Sequence, residues 1–285
     1  MRDRYRFAVA ISLKPRTVSN NWDLVQLNLR RTIGSIRSSH GPDVIIVIAC
    51  HDEPNLGAVS GGDIHILRVP FAEGRPDASQ MGEDKFRKRR YIGAWLRDTL
   101  NGEGIYVMFL DADDLVHKDV IAYVLSDDNH RSYHPTQGYE YDCRTGMLGR
   151  RTFTGGFGSC LVSYFTREEL PRSWEDEDCA YAQFKFHKDF ERVASDLDKS
   201  LDPIPFRAVV YLSNHNESLR LIHMGKRRNL ALFSFVLPGN AKRVLVNEFS
   251  VEKSDPLISG LAGLGSISIE TLVFVSSKVW HKVIR

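Results

Sequence analysis

The chain is poor in the features that mark several specialised classes of protein. It has four cysteines in 285 residues, and none of them forms a Cys-x-x-Cys pair. We therefore expect neither a zinc site nor a disulfide framework. Cys50 lies in an apolar run and is interpreted as a small core residue. This cysteine usage favours a reducing compartment and predicts a cytoplasmic protein.

An excess of charge of one sign and a long apolar run are also missing. Lys and Arg total 38 against 36 for Asp and Glu, a formal net charge of +2, so we expect no nucleic-acid partner. Residues 1–6 are too charged for a signal peptide. The longest weakly charged stretch, 256–278, contains Glu270 and several glycines and is a poor membrane span. Any membrane contact is expected to be peripheral, at the inner face of a membrane.

The first fifty residues have the pattern of a strand, an amphipathic helix and a second strand. Residues 7–13 and 44–49 are short apolar runs typical of buried strands. Between them, apolar residues recur at helical spacing from Trp22 to Ile36, after a cap offered by residues 19–21. This βαβ unit predicts a parallel sheet covered by helices on both faces.

The same alternation continues to residue 110. It predicts a strand at 64–69, a helix from about 85 to 100 and a third buried strand at 105–110. Residues 127–151 are polar, and we predict a long loop there, such as a substrate lid or a mobile segment. A further strand region is predicted to open at 154–159, and 206–212 is predicted as the last strand of the main domain.

Three aspartates directly follow the strand predicted at 105–110, in the sequence Leu110-Asp111-Ala112-Asp113-Asp114. Open α/β sheets bind ligands at this carboxyl edge. Carboxylates so close together repel one another, and a hard divalent cation such as Mg²⁺ or Mn²⁺ relieves that repulsion. The alternative is a solvated acidic turn, or a helix cap at Asp113 or Asp114.

With this motif the chain resembles the family-two glycosyltransferases, inverting enzymes of GT-A fold whose metal motif is a strand ending in Leu-Asp-x-Asp-Asp. The resemblance implies a GT-A domain at residues 1–225, with a mostly parallel sheet flanked by helices, and a C-terminal extension at 226–285. It implies that Asp113 binds the metal beneath the sugar-nucleotide diphosphate. Asp111 would lie near the ribose or the water shell of the metal.

Other positions take their expected roles from the same resemblance. Asp52 occupies the place of the acidic residue that reads the nucleobase after the second strand. Residues 90–93 keep the Arg and Gly of an Arg-Asn-x-Gly motif but replace its Asn, which makes Arg90 a candidate for donor binding. His215 falls where related enzymes place a histidine near the metal or phosphate. Lys14, just after the first strand, is expected near the nucleotide pocket.

Two charged runs complete the pattern. The family carries a Glu-Asp pair that opens a helix and supplies the catalytic base, and residues 175–178, Glu-Asp-Glu-Asp, have this form. We predict Asp176 as the base, ahead of Glu175, with Asp178 left open; an ordinary acidic helix N-terminus is the alternative. The basic run at 85–90 is predicted as a solvated helix face, with contact to a diphosphate as the alternative.

The predicted function is transfer of a sugar from a UDP- or GDP-sugar to a hydroxyl of a glycan or other acceptor, assisted by Mn²⁺ or Mg²⁺. One alternative is a phosphatase of the haloacid dehalogenase type with Asp111 as nucleophile. Another is a GT-A module that binds a glycan or nucleotide without turnover. An amphipathic helix is predicted at 267–284. Packing on the main domain is the expected role, and the alternatives are a homo-oligomer contact and contact with an anionic membrane surface.

Overall fold

The computed structural model describes residues 5–38, 41, 43–73, 78–99, 104–127, 129–153, 159–186, 189–217 and 235–261. The strands are β1 (Phe7–Ser12), β2 (Val44–Cys50), β3 (Ile64–Arg68), β4 (Gly104–Leu110), β5 (Asp114–Val116), β6 (Ser132–Pro135), β7 (Gln137–Asp142), β8 (Met147–Thr152), β9 (Leu161–Thr166), β10 (Leu201–Ile204) and β11 (Val209–Ser213). The helices are α1 (Trp22–Arg37), α2 (Ala78–Thr99), α3 (Val120–Asp127), α4 (Ala180–Gln183), α5 (Phe190–Asp196), α6 (Pro238–Asn247) and α7 (Pro256–Ser259).

A seven-stranded sheet in the order β10-β6-β9-β4-β1-β2-β3 forms the centre of the molecule. Strands β4, β1, β2 and β3 run parallel, and β9 is antiparallel to both of its neighbours. Residues of β1 and β2 are almost wholly buried because they lie between two apolar clusters, one on each face of the sheet. The carboxyl ends of β1, β2 and β4 therefore meet at one edge, which is where polar side chains gather.

A second sheet, in the order β5-β11-β7-β8, adjoins the first. The aspartate-rich turn after β4 leads directly into β5, which pairs antiparallel with β11. Strands β7 and β8 form a hairpin, in which Gly146 adopts a left-handed φ of 67° and Asp142 accepts a hydrogen bond from the Arg144 N–H. The turn at Asp111–Asp114 is thus the junction between the two sheets.

Several predicted elements are confirmed. Strands β1, β2, β3 and β4, helix α1 with its cap at Asn21, and a buried Cys50 all lie where the sequence placed them. The mostly parallel sheet flanked by helices is confirmed as well. Helix α2 starts earlier than predicted, at Ala78, because Gly82 lowers helix stability by only about 1 kcal/mol and does not end the helix.

The predicted long loop at 127–151 is wrong. This stretch contains β6, β7 and most of β8, whose inward residues include tyrosines and a buried glutamate. Its polarity is compatible with strands because charges pair within the sheet, as Glu140 Oε2 does with Arg151 Nη1 at 3.2 Å. The strand predicted at 206–212 exists as β11, but it belongs to the second sheet.

Residues 235–261 pack on the second sheet. Phe249, Leu245 and Leu257 join a buried cluster with residues of β7, β8 and β11. An ion pair between Arg31 Nη2 and Asp255 Oδ1, 2.6 Å long, fastens α7 to α1. The boundary predicted at 225/226 and the amphipathic helix predicted at 267–284 lie outside the described residues.

We expect Phe249→Ala to destabilise the protein by about 3–5 kcal/mol, because the fully buried ring packs against Tyr139 and His117 and its loss leaves a cavity. Denaturant unfolding measures the change. Leu237→Ala is the control, since that side chain is 58% exposed, and it should shift the midpoint little. An unfolding midpoint unchanged in Phe249→Ala would contradict the packing of this segment on the second sheet.

Candidate functional site

The carboxyl edge of the large sheet brings together residues from distant parts of the chain. Asp111 and Asp113 leave the end of β4, and Asp114 begins β5. Because β5 pairs antiparallel with β11, the end of β11 returns toward the aspartates. Asn214 then turns the chain with a left-handed φ of 56°, a conformation that asparagine adopts more readily than most residues. This turn places His215 against the aspartate-rich junction.

His215 and Asp113 form the central contact of the site. Nε2 of His215 lies 3.0 Å from Oδ2 of Asp113, an ion-pair distance, although the approach is not that of a well-aligned hydrogen bond. The histidine side chain is buried, whereas Asp113 keeps 31% of its side chain exposed. The predicted candidates Asp113 and His215 are therefore neighbours, with the carboxylate partly exposed to solvent.

The two inner aspartates differ in their electrostatic environment. Desolvation opposes ionisation of Asp113, but the neighbouring His215 outweighs it, and the pKa of Asp113 lies below its ordinary value. Burial, followed by the charges of Asp113 and Asp111, raises the pKa of Asp114 well above its ordinary value. Both carboxylate oxygens of Asp114 are buried. The two adjacent carboxylates of this junction thus have pKa values shifted in opposite directions.

Asp111 is held between helix α2 and the chain before β9. Lys85 forms an ion pair with its Oδ1, and Nη2 of Arg89 lies 3.8 Å from the same oxygen. The Asp111 N–H donates a hydrogen bond to Ser159 Oγ at 2.9 Å. The solvated face predicted for the basic run is therefore wrong for Lys88, Arg89 and Arg90, whose side chains are buried.

The donor set at this edge suits a hard divalent cation. Asp113 Oδ2 and His215 Nε2, 3.0 Å apart, are an oxygen and a nitrogen that one ion could contact together. Asp111 lies two residues before Asp113 in the sequence. Within the described ranges, no group of three or more His, Cys, Asp and Glu side chains is arranged to hold a metal ion. Mg²⁺ and Mn²⁺ at nucleotide sites commonly use one or two carboxylates and take their other ligands from phosphate and water. The residues present fit that mode of binding.

The loops after β1 and β2 lie side by side at the same edge. Oδ2 of Asp52 accepts a hydrogen bond from the Arg16 N–H at 2.8 Å, which joins the two loops. Lys14 forms an ion pair with Glu217, two residues beyond His215. Glu217 Oε1 also accepts a hydrogen bond of 2.6 Å from the Asn21 N–H at the start of α1. The loop that holds Lys14 therefore contacts both the Asp52 loop and the segment that holds His215.

The acidic run at 175–178 precedes a helix, as the sequence predicted, but α4 begins only at Ala180. Oδ2 of Asp176 accepts a hydrogen bond from the Arg172 N–H at 2.9 Å, and its side chain is half-buried. Glu175 and Asp178 are exposed. Asp176 is consequently the most fixed of these three carboxylates.

Helix α2 links the acidic run to the aspartate junction. Arg90 donates from Nε to the Trp174 carbonyl at 2.7 Å and pairs through Nη2 with Glu177 at 3.0 Å. Lys85 and Arg89, on the same two turns of helix, face Asp111. Residues 85–90 span only about 8 Å along a helix axis. Arg90 also pairs with Glu83 on its own helix, at 2.9 Å. Its role in donor binding stays a prediction.

Sequence reasoning missed Glu217 and the contacts of Lys85 and Arg89. Glu217 bonds to Asn21 across 196 positions, so no local pattern could pair them. Lys85 and Arg89 are spaced i, i+4, which places both on one face of α2, and this spacing is the only signal that could have singled them out.

Comparison with protein-family models and with curated proteins gave no match. The architecture is that of an α/β protein with a mostly parallel, mixed seven-stranded sheet flanked by helices, which is compatible with a Rossmann-like fold. In the part of the chain that the structure describes, no helix has the length and apolarity needed to cross a membrane.

Proposed function

We propose that the protein is a glycosyltransferase of GT-A type that moves a sugar from a UDP- or GDP-sugar to an acceptor hydroxyl with inversion. The observation that carries the proposal is the contact of Asp113 with His215, 3.0 Å apart, at the edge where Asp111 and Asp52 follow the ends of β4 and β2. A βαβ sheet with acidic strand ends at this edge suits a nucleotide whose phosphates are neutralised there.

Each group has a role in the proposed reaction. The acceptor oxygen attacks the anomeric carbon while the bond from that carbon to the diphosphate breaks. Asp176 takes the proton from the acceptor hydroxyl, because a neutral hydroxyl is a poor nucleophile. Asp52 accepts a hydrogen bond from the base or ribose, and Lys85 and Arg89 provide cationic charge beside Asp111.

Asp113, His215 and Asp111 are the residues that would hold Mn²⁺ or Mg²⁺. When bound, such an ion neutralises charge on the leaving diphosphate. The proposal is first tested by thermal-shift measurements with UDP, GDP and their sugars, with and without Mn²⁺, because a ligand that binds the native state raises the unfolding temperature. No shift with any of these nucleotides would count against the proposal.

The predicted role of Asp52 has a specific test. Asp52→Ala should weaken UDP or GDP binding by about ten- to a hundredfold, the scale of a hydrogen bond to a charged group. Turnover at saturating donor should change much less, because Asp52 lies away from the bond that breaks. Calorimetric titration gives the affinity, and donor-dependent kinetics give the turnover.

Asp202→Ala is the matched control for Asp52→Ala. Asp202 lies on the outermost strand β10, and its carboxylate likewise accepts a hydrogen bond, from Arg131 Nη1 at 2.9 Å. Its removal should leave nucleotide affinity unchanged. If Asp52→Ala binds UDP and GDP as tightly as this control, Asp52 serves only to join the two loops through the Arg16 N–H.

A further inference from the structure

Three buried ionisable side chains form a chain of contacts beneath the carboxyl edge of the sheet. Nζ of Lys88 lies 2.6 Å from Oδ2 of Asp84, one turn earlier on α2. Oδ1 of Asp84 lies 2.7 Å from Nε2 of His51. The exposed fractions of these side chains are 0% for Lys88, 8% for Asp84 and 7% for His51. We name this group the α2 triad.

The α2 triad reaches the two loops of the nucleotide pocket. Lys88 Nζ donates a hydrogen bond of 2.8 Å to the carbonyl of Leu13, the residue before Lys14. His51 directly precedes Asp52 at the end of β2. One helix therefore contacts the backbone on both sides of the predicted pocket through buried charged side chains, in addition to the apolar packing of its Ile92 and Leu96 against β1 and β2.

Burial of these charges opposes folding to the extent that their mutual contacts do not compensate for the lost hydration. Burial lowers the pKa of Lys88, against the effect of Asp84. For Asp84, desolvation is outweighed by His51 and Lys88, and its pKa lies below the ordinary value. Replacing a buried ion pair by apolar side chains is often neutral or stabilising. Stability alone therefore gives no reason to place a lysine here.

We propose that Lys88 is a positioning residue for the nucleotide, which fixes Lys14 through the Leu13 carbonyl and Asp52 through Asp84 and His51. The inference rests on the proposed function, because it needs a nucleotide in this pocket. Lys88 itself touches no substrate. Its effect is to hold two backbone segments at the spacing that the bound nucleotide requires, as supporting residues do in preorganised sites.

Calorimetric titration of Lys88→Met with UDP and with GDP, each in the presence of Mn²⁺, tests the inference. We expect the dissociation constant to rise about tenfold, on the scale of the loss in metal affinity when a metal ligand loses its outer-shell partner, with the binding stoichiometry unchanged. Turnover at saturating donor should stay near that of the wild type. The double variant Lys88→Met/Asp84→Asn removes the charge left on Asp84 and should show the same loss of affinity.

Lys199→Met is the matched control. Lys199 also pairs with a carboxylate, Glu169 Oε1 at 2.8 Å, and also donates to a backbone carbonyl, that of Tyr164 at 2.7 Å. Lys199 contacts the second half of β9, which pairs with the start of β4. This part of the sheet is at the opposite end of β4 from the predicted pocket. Lys199→Met should bind UDP and GDP like the wild type.

The outcomes separate the inference from the function on which it rests. If the wild type binds and both Lys88 variants bind equally tightly, Lys88 is structural and the inference is overturned. The inference is also overturned if the variants show a lower binding stoichiometry or a lower unfolding temperature but an unchanged dissociation constant. That result means that a smaller fraction of the protein is folded, and that the folded fraction binds normally. If the wild type binds neither UDP nor GDP, the proposed function fails and the inference fails with it.

Discussion

Asp176→Asn is expected to lower the rate of sugar transfer by about a hundredfold or more, the usual contribution of a general base. The amide keeps the shape of the carboxylate and can still accept from the Arg172 N–H, which in the native protein is a bond of 2.9 Å. It cannot take a proton from the acceptor. Donor affinity should be nearly unchanged, because the base acts in the transition state and does not hold the nucleotide. Steady-state kinetics and UDP or GDP titration measure the two quantities.

Glu175→Gln is the matched comparison for Asp176→Asn. Glu175 is exposed, and its carboxylate is less fixed than that of Asp176, so this change should cost much less. A near-normal rate in Asp176→Asn would remove Asp176 from the mechanism. The base would then be Glu175 or Asp178, or the acidic run would serve only to hold α2 through Glu177 and Arg90.

Asp113→Ala is expected to abolish transfer, and excess EDTA should do the same to the wild type. The carboxylate contributes the oxygen that faces His215 Nε2 at 3.0 Å. Its removal should leave the fold intact, because Asp113 belongs to a turn and 31% of its side chain is exposed. Relief of the repulsion between Asp113 and Asp114 should keep the unfolding temperature at or above that of the wild type.

Asp119→Ala controls for the loss of a carboxylate beside a histidine. Asp119 Oδ2 lies 3.7 Å from His117 Nδ1, and its side chain is 61% exposed. This variant should keep its activity. Full activity of the wild type in excess EDTA would contradict the assignment of a metal site. It would not contradict a transferase that works without a metal.

The regular part of the fold was predictable because its signal is local. Strands β1, β2 and β4 are continuous apolar runs, and a buried parallel strand requires such runs. The strands β6, β7 and β8 were missed because their burial depends on partners elsewhere. From sequence alone, Glu140 is expected to be exposed to solvent. It is buried in the structure, where it pairs with Arg151 of the neighbouring strand.

The candidate site was predictable residue by residue but not as a set of contacts. Asp111 and Asp113 stand out because they follow a buried strand. The contact of Asp113 with His215 depends on the antiparallel pairing of β5 with β11, which no sequence pattern indicates. The contacts of Lys88 with Asp84 and Leu13 were missed for a related reason, since a basic run suggests solvent exposure.

Incubation of the protein with UDP- and GDP-sugars and Mn²⁺, in parallel with a phosphomonoester, tests the central proposal most directly. We predict release of UDP or GDP that depends on Mn²⁺, that is lost in Asp113→Ala, and no release of phosphate from the monoester. Release of phosphate alone, dependent on Asp111 and without UDP or GDP from any donor, would contradict a glycosyltransferase and identify a phosphatase instead.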